Sequence, residues 1–324
     1  MNGHCPFRNK RSLFENIPTL SGLNAHCAFI TNNNNEMTVC KLSDLSSPIF
    51  PTWCPGCGDF GIWASLKQAI VESAIDYNNL VIVYGVGCSG NMADFIKSYG
   101  FHGLHGRGLP VAAGIKLANH KLTVICVVGD GDCLGEGMGH FIAAARANYD
   151  IKVLIHNNGV YGLTTGQVAP TNKAGFKSKS TPAGIIEKGV NASALAILNG
   201  ATFVGRSFSQ DINFTKDLIK KAIAHHGFAS IDILQPCVTW NKGFGYDFYR
   251  SRVYKLDEKY NSANKTLALQ KAMENEDTWE HLPIGVFYEE KRAAYHEQVE
   301  QIREKTLISR QNQLNLENLI NEFK

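Results

Sequence analysis

Two groups of residues in this chain have the types and spacing needed for chemistry. The first is Gly129-Asp130-Gly131-Asp132, which follows the apolar run TVICVV and is answered at Asn157-Asn158, after the apolar run IKVLIH. Residues 132–157 leave room for one helix and one strand. In a βαβ unit both parallel strands end at the same edge of the sheet, so Asn158 returns beside Asp130. A carboxylate and an amide oxygen converging there suit a hard cation, and Mg²⁺ shared with phosphate oxygens is the expected one. Gly129 and Gly131 let the backbone turn tightly and bring N–H groups against the phosphates at the positive end of the next helix. A plain strand–turn–helix with an Asp cap would also contain GDG. The Asn pair at this distance favours a diphosphate site.

The second group comes from nine cysteines, at positions 5, 27, 40, 54, 57, 88, 126, 133 and 237. No apolar leader precedes them, which predicts a cytoplasmic chain with reduced thiols. Cys54-Pro55-Gly56-Cys57-Gly58 is a CxxC turn whose Pro and Gly free backbone N–H groups to point at sulfur. Such a turn suits a metal or an iron–sulfur cluster. A 4Fe-4S cluster needs four thiolates, and two more cysteines stand at the ends of apolar runs. Cys88 lies in Gly85-Val86-Gly87-Cys88-Ser89-Gly90 after LVIVYG, and Cys237 follows SIDILQP. Three other readings compete: a tetrahedral Cys₄ zinc, a redox dithiol, or Cys88 and Cys237 as packed apolar residues. Cys126, inside TVICVV, reads as packed, and Cys133 reads either way.

The elements that must position these residues follow from periodicity. Strands are predicted at about 79–85, 122–128, 151–156, 201–205 and 229–234, alternating with helical patterns, which gives an α/β fold with a doubly wound, mostly parallel sheet. A helix after the CxxC turn presents Ile62, Trp63, Leu66, Ala69 and Ile70, with Asp59 as its cap. Another, after Asp132, turns Leu134, Met138, Phe141, Ile142 and Ala145 to the sheet. Residues 85–90 also form a GxGxxG, the mark of a nicotinamide-binding dehydrogenase. That reading wants an acidic residue about 20 positions on. Residues 100–120 contain no Asp or Glu and open on a Gly/His loop rather than a strand.

With these residues in place, the chain resembles the thiamine diphosphate enzymes, whose diphosphate domain carries GDG followed by Asn. Tyr161-Gly162-Leu163-Thr164-Thr165-Gly166-Gln167 with Pro170-Thr171 narrows the resemblance to the β subunit of the 2-oxoacid:ferredoxin oxidoreductases. The resemblance implies that Asp130 and Asn158 are Mg²⁺ ligands through their side chains and Val160 through its carbonyl. It further implies that Ser89, Gly129, Gly131, Asp132, Tyr161, Gly162 and Leu163 surround thiamine diphosphate. Cys54, Cys57, Cys88 and Cys237 match the family's 4Fe-4S ligands one by one. His105-Gly106-Arg107 matches an HGR-x-LPVA-x-GIK pattern that carries an imidazole and a guanidinium toward an anionic site, so His105, Arg107 and Thr164 are the implied catalytic residues. A helix starts near Pro110. Blander readings are a satisfied core histidine at 105, a surface arginine at 107 and a turn-stabilising hydroxyl at Ser89. The chain departs from many relatives at Thr165, where they carry Lys or Gly.

The family's activity is oxidative decarboxylation of a 2-oxoacid, of the pyruvate or 2-oxoglutarate class, with coenzyme A, the electrons passing to ferredoxin. Its pyrimidine-activating Glu lies on a separate domain, so this chain is expected to be half an active site, completed by an α or fused γ–α subunit. The alternative enzyme reading is a non-redox thiamine diphosphate decarboxylase or carboligase with a structural zinc. A net charge of +3 and 44% hydrophobic content give no basic stripe for nucleic acid and no bilayer-spanning run. Three regions are expected: a poorly ordered extension at 1–45, a cofactor domain at 46–245, and a polar, aromatic extension at 246–324. The last ends in an amphipathic helix bearing Leu316, Leu319, Ile320 and Phe323. Met37 stands where the family's chains begin, which would assign residues 1–36 to an upstream start codon.

Overall fold

The computed structural model describes residues 39–310 and 320–321. Its centre is an eight-stranded sheet made of β1 (Leu80–Tyr84), β2 (Tyr99–His102), β3 (Thr123–Gly129), β4 (Lys152–Asn157), β7 (Phe203–Phe208), β8 (Ala229–Leu234), β9 (Val253–Lys255) and β10 (Leu282–Glu289). The order across the sheet is β2-β1-β3-β4-β8-β7-β10-β9. Every pairing in it is parallel except that of β10 with β7. A two-stranded ribbon, β5 (Val160–Tyr161) and β6 (Gln167–Val168), stands apart.

The central strands read as unbroken apolar runs because both faces of a parallel sheet are covered. Alternation then sends side chains to opposite cores. Ile125 and Val127 join Ile62, Leu66 and Ile70 of α1 (Asp59–Glu72) and Leu218 of α5 (Ile212–Ala224). Val124, Cys126 and Val128 join Leu109 of α2 (Gly108–Ala118), Phe141 and Ala145 of α3 (Met138–Ala147), Ile197 of α4 (Ala192–Leu198) and Ala268 of α7 (Lys265–Ala272). Cys133 is fully buried in this second core with Cys126, on the face of the sheet opposite Cys57. It is therefore packing and not a spare ligand.

Four expectations need correction. Residues 99–102 form an edge strand, not a loop; all four are exposed, so no buried face leaves an apolar pattern to read. Asp59 does not cap α1, because Gly58 occupies that position without a side-chain bond and the carboxylate turns inward. Cys40 and Leu45, within the stretch expected to be poorly ordered, are buried, and Val39 bridges to Asp76. Beyond Gly245 the chain adds α6 (Tyr246–Arg250), β9, α7 and β10, and then α8 (Tyr295–Gln298) and α9 (Glu300–Arg303). β10 was hidden because Pro283, Gly285 and a register shift between Val286 and Tyr288 interrupt its alternation. Of the predicted tail helix only 320–321 are described, in helical form with Ile320 exposed; Leu316, Leu319 and Phe323 lie outside the described residues, as do Met37 and residues 1–36.

At the amino end of the central strands, Asp150 receives Lys116 Nζ at 2.7 Å and Lys152 Nζ at 2.5 Å. Burial alone would raise the Asp150 carboxyl, but the Lys152 and Lys116 ammonium groups prevail and hold it well below the usual carboxylate range. Its stabilising contribution is complete above the unfolded value near 4 and is lost as the pH falls below it. Nearby, burial and then the Lys152 charge hold His225 down to about 4. The unfolded ring takes a proton below about 6.5 that the folded ring refuses, so stability declines as the pH drops from there toward 4. Asp150→Ala strands two buried ammonium groups and should cost about 3–5 kcal/mol, measured as a lower urea midpoint with an unchanged slope.

Candidate active site

Parallel register makes the site. β1, β3, β4 and β8 run the same way, with Gly129 opposite His156 and Asn157 opposite Leu234. The segments that leave their carboxyl ends, 85–90, 130–132, 158–164 and 235–241, therefore emerge side by side, where ligands bind in open α/β sheets. A pocket at this edge is lined by Val86, Cys88, Ser89, His105, Asp130, Asp132, Asn158, Val160 and Tyr161, together with Gly87, Gly129, Gly131, Gly162, Leu163 and Thr164. A larger cavity, beyond Thr171 and Asn172, contains the Arg206–Asp232 ion pair at 2.9 Å and shares none of the glycine-rich turns.

Asp130 is 1% exposed, and its Oδ2 accepts the Gly159 N–H at 2.9 Å and the Thr171 hydroxyl. Burial pushes its carboxyl up to about 6 against those bonds. Among the described residues no Lys or Arg forms an ion pair with it. Burying a carboxylate this deep costs free energy that a bound cation would offset. Asn158 Oδ1 accepts the Val160 N–H at 3.0 Å, Asn241 Nδ2 donates to the Asn158 carbonyl at 2.8 Å, and Asn172 Nδ2 donates to the Gly159 carbonyl at 2.9 Å. This lattice fixes the 158–160 turn that the Mg²⁺ expectation rests on. Nothing local in the sequence marks Asn172 and Asn241 as side chains that prop a distant turn, and Thr171 enters there only as part of a motif, not as a partner of Asp130.

The pocket also fits a diphosphate. A Cβ on Gly131 would lie 2.6 Å from the Tyr161 ring, whose hydroxyl donates to the Gly131 carbonyl at 3.1 Å, so only glycine allows this approach. Among the described residues, the buried Ser89 hydroxyl has no hydrogen-bond partner. An orphaned donor at a pocket wall points to a polar ligand. Asp132 Oδ1 accepts the Gly106 N–H at 2.8 Å and stands 3.1 Å from His105 Nδ1, which orients that ring at the pocket wall. Thr164 donates to Gln167 Oε1 at 2.7 Å. Thr165 has φ +78°, a costly left-handed setting for a β-branched residue and the reason Gly is at home there. Arg107 is not brought to the pocket. Its guanidinium is exposed and meets His140 Nε2 at 2.5 Å, because α2 begins at Gly108 and points residue 107 along the surface toward α3.

The cysteines gather at the same edge. In the 54–57 turn the Cys57 N–H donates to the Cys54 carbonyl at 2.9 Å, the Gly58 N–H to Pro236 at 3.2 Å, and Trp53 Nε1 to the Cys88 carbonyl at 2.7 Å. The point where a Gly162 Cβ would sit is 3.3 Å from Cys88 Sγ and 4.0 Å from Cys237 Sγ. Burial, then the Asp59 carboxylate and the Cys237 and Cys54 sulfurs, push the Cys88 thiol up to about 12. Four sulfurs on one tetrahedral zinc would stand about 3.8 Å apart. Among the described residues no three His, Cys, Asp or Glu side chains group closely enough to hold a single metal ion. The dehydrogenase reading fails on local structure as well: the 85–90 glycines lead into a 3-10 turn (Gly90–Asp94), not the helix that a dinucleotide fingerprint opens.

Comparison with known proteins adds the family. Residues 85–233 match the family described as thiamine pyrophosphate enzyme, C-terminal TPP binding domain, and residues 237–304 match the C-terminal family of the pyruvate ferredoxin oxidoreductase beta subunit. A 2-oxoacid:ferredoxin oxidoreductase subunit beta of Saccharolobus solfataricus is 48% identical over 76% of this chain and 84% of its own length. The chain belongs to this family of β subunits. A 2-oxoglutarate synthase subunit of Archaeoglobus fulgidus is 33% identical over 80% of this chain and 92% of that one. The 2-oxoglutarate:ferredoxin oxidoreductase from Magnetococcus marinus, solved with 2-oxoglutarate, coenzyme A and succinyl-CoA bound, superposes with a TM-score of 0.82 at 33% identity. The match covers 90% of this chain and 98% of that one. As a β subunit of this family the chain is part of a multi-subunit oxidoreductase with a thiamine pyrophosphate-binding fold. Among the described residues no helix is long and apolar enough to cross a membrane.

Proposed function

We propose that this β subunit holds thiamine diphosphate and Mg²⁺ in the pocket at the carboxyl edge of the sheet, and a 4Fe-4S cluster on Cys54, Cys57, Cys88 and Cys237 beside it. With an α subunit it oxidatively decarboxylates a 2-oxoacid of the pyruvate or 2-oxoglutarate class. Coenzyme A takes the acyl group and ferredoxin the electrons, in the cytoplasm. One observation carries the reading: Cys88 lines the same pocket as Asp130 and Asn158, and Gly162, also in that lining, is against both Cys88 and Cys237.

The residues divide the work. Asp130 turns Oδ2 to its two protein donors, which leaves Oδ1 for Mg²⁺, joined by Asn158 and the Val160 carbonyl. Ser89 and the turn amides at 129–131 face the diphosphate. His105, steadied by Asp132, can hold or release a proton at Nε2 on the substrate side. Tyr161 closes the wall over Gly131 and excludes water. Thiamine diphosphate supplies the electron sink that lets CO₂ leave, and the cluster an acceptor for the two electrons one at a time. Anaerobic co-expression with the α subunit tests the reading. The expected product is a brown complex with about four iron atoms per β chain, which reduces ferredoxin with a 2-oxoacid and coenzyme A. A colourless zinc protein would reject the redox half.

A further inference from the structure

We propose that Lys177, Lys179 and Lys242 form the docking surface for an acidic iron–sulfur electron carrier, with Trp240 at its centre. The inference rests on the cluster reading above and says where electrons leave the subunit. It starts from a one-sided distribution of charge. Segments 46–58, 85–91, 158–180 and 235–246, which carry the four proposed ligand cysteines and the loops against them, contain four lysines and no Asp, Glu or Arg. The chain as a whole is nearly balanced, with 32 Lys and Arg against 29 Asp and Glu. A patch of one sign on a balanced chain steers a partner of the other sign.

Aromatic contacts bring these lysines to the sulfurs. Trp240 lies three residues after Cys237 and is half-buried. The point where a Gly162 Cβ would sit, already placed against Cys88 and Cys237, is 4.0 Å from Trp240 Cδ1. Lys179 Nζ stands 5.6 Å from the centre of the same indole. Phe176 stacks on Phe244 with ring centres 6.3 Å apart, which fastens the 173–180 loop to the 242–244 turn and brings the stretches bearing Lys177 and Lys242 together. The Tyr246 hydroxyl donates to the Gly56 carbonyl at 2.9 Å, so the exposed 54–56 turn borders the same surface.

The charges on this surface are not neutralised within the subunit. Lys177, Lys179 and Lys242 are exposed, and among the described residues none of them forms an ion pair. The neighbouring cations are engaged elsewhere: Lys173 Nζ donates to the Thr278 carbonyl at 2.5 Å, and Arg250 meets Asp247 at 3.3 Å. The chemistry of the partner follows from its task. A carrier whose own cofactor is an iron–sulfur cluster brings negative charge with it, because four thiolates outweigh the charge of the iron core. Lysines set around an exposed ligand turn attract that anion and orient it toward the sulfurs.

The test uses the α–β complex prepared without oxygen and the ferredoxin that the wild-type complex reduces. The double variant Lys179→Glu, Lys242→Glu should raise the KM for ferredoxin at least about tenfold and flatten its dependence on salt. Its iron content should match wild type, as should bleaching of the cluster by 2-oxoacid and coenzyme A with no carrier present. Lys121→Glu changes an exposed lysine at the opposite, amino edge of the sheet and should leave the KM where it was. An unchanged KM in the double variant, or an equal rise in Lys121→Glu, overturns the proposal. Release of the α subunit, read by size-exclusion chromatography, would assign the lysines to the subunit interface and overturn it too. If the double variant loses iron, Lys179→Gln, Lys242→Gln carries the expectation as a rise of about threefold, and loss of iron there as well overturns the docking role. A wild-type complex that holds no iron would instead sink the cluster reading on which the proposal depends.

Discussion

Asp130→Ala should abolish Mg²⁺-dependent binding of thiamine diphosphate while leaving the visible spectrum of the cluster intact. The expected loss is at least about 100-fold in affinity, near 2.7 kcal/mol, by calorimetry with the cofactor and Mg²⁺ together. The argument is electrostatic first. Asp130 is the only carboxylate among the three proposed ligand groups, and removing it leaves an amide and a carbonyl, which bind a hard dication weakly. The substitution also strands the Gly159 N–H and the Thr171 hydroxyl, each buried and bonded to Oδ2. That lowers stability by about 1–3 kcal/mol per group. Asp130→Asn separates the two effects, because an amide oxygen can still accept those bonds but carries no charge. Both variants should lose the cofactor, and only the alanine should melt early. Retained affinity in Asp130→Asn would move the metal to another set of ligands.

The reason Asp130 was legible in the sequence is the reason other residues were not. GDG after an apolar run, with Asn one helix and one strand later, is a local pattern whose geometry follows from the βαβ unit alone. The apolar runs of β1, β3, β4 and β8 were legible for a similar reason, since strands buried on both faces have no polar alternation to confuse them. The partners that make the site rigid arise from register between distant segments. Thr171 reaches Asp130 across 41 positions, and Asp59 reaches His156 across 97. Each of these residues has a bland local explanation: a turn threonine, a helix cap, a strand histidine. Arg107 shows the converse. Its neighbours suggested a guanidinium in the pocket, but where a long side chain goes is decided by the helix start at Gly108 and by His140 on the next helix. The edge strand β2 and the late strand β10 escaped because their residues are exposed or interrupted, so burial imposes no readable period on them.

Cys237→Ser tests the other half of the site, with an effect as large. It should lose most of its iron, its visible absorbance and its ferredoxin reduction, with thiamine diphosphate affinity held to within about threefold, under 1 kcal/mol. Cys237 has no bond to Asp130 or Asn158; its carbonyl accepts the Asn241 N–H at 3.2 Å, which a serine preserves, and Asn241 keeps its bond to the Asn158 carbonyl. The metal turn is therefore held while one thiolate is removed. Cys133 cannot step in, since it is sealed in the core on the opposite face of the sheet. Full iron content in Cys237→Ser would mean that another group completes the cluster. Retained iron with lost ferredoxin reduction would place Cys237 on the electron path without making it a ligand. The expected double result, iron gone and cofactor kept, follows from the narrow strip at Gly162, where the two sulfurs and the cofactor pocket share a wall but no hydrogen bond.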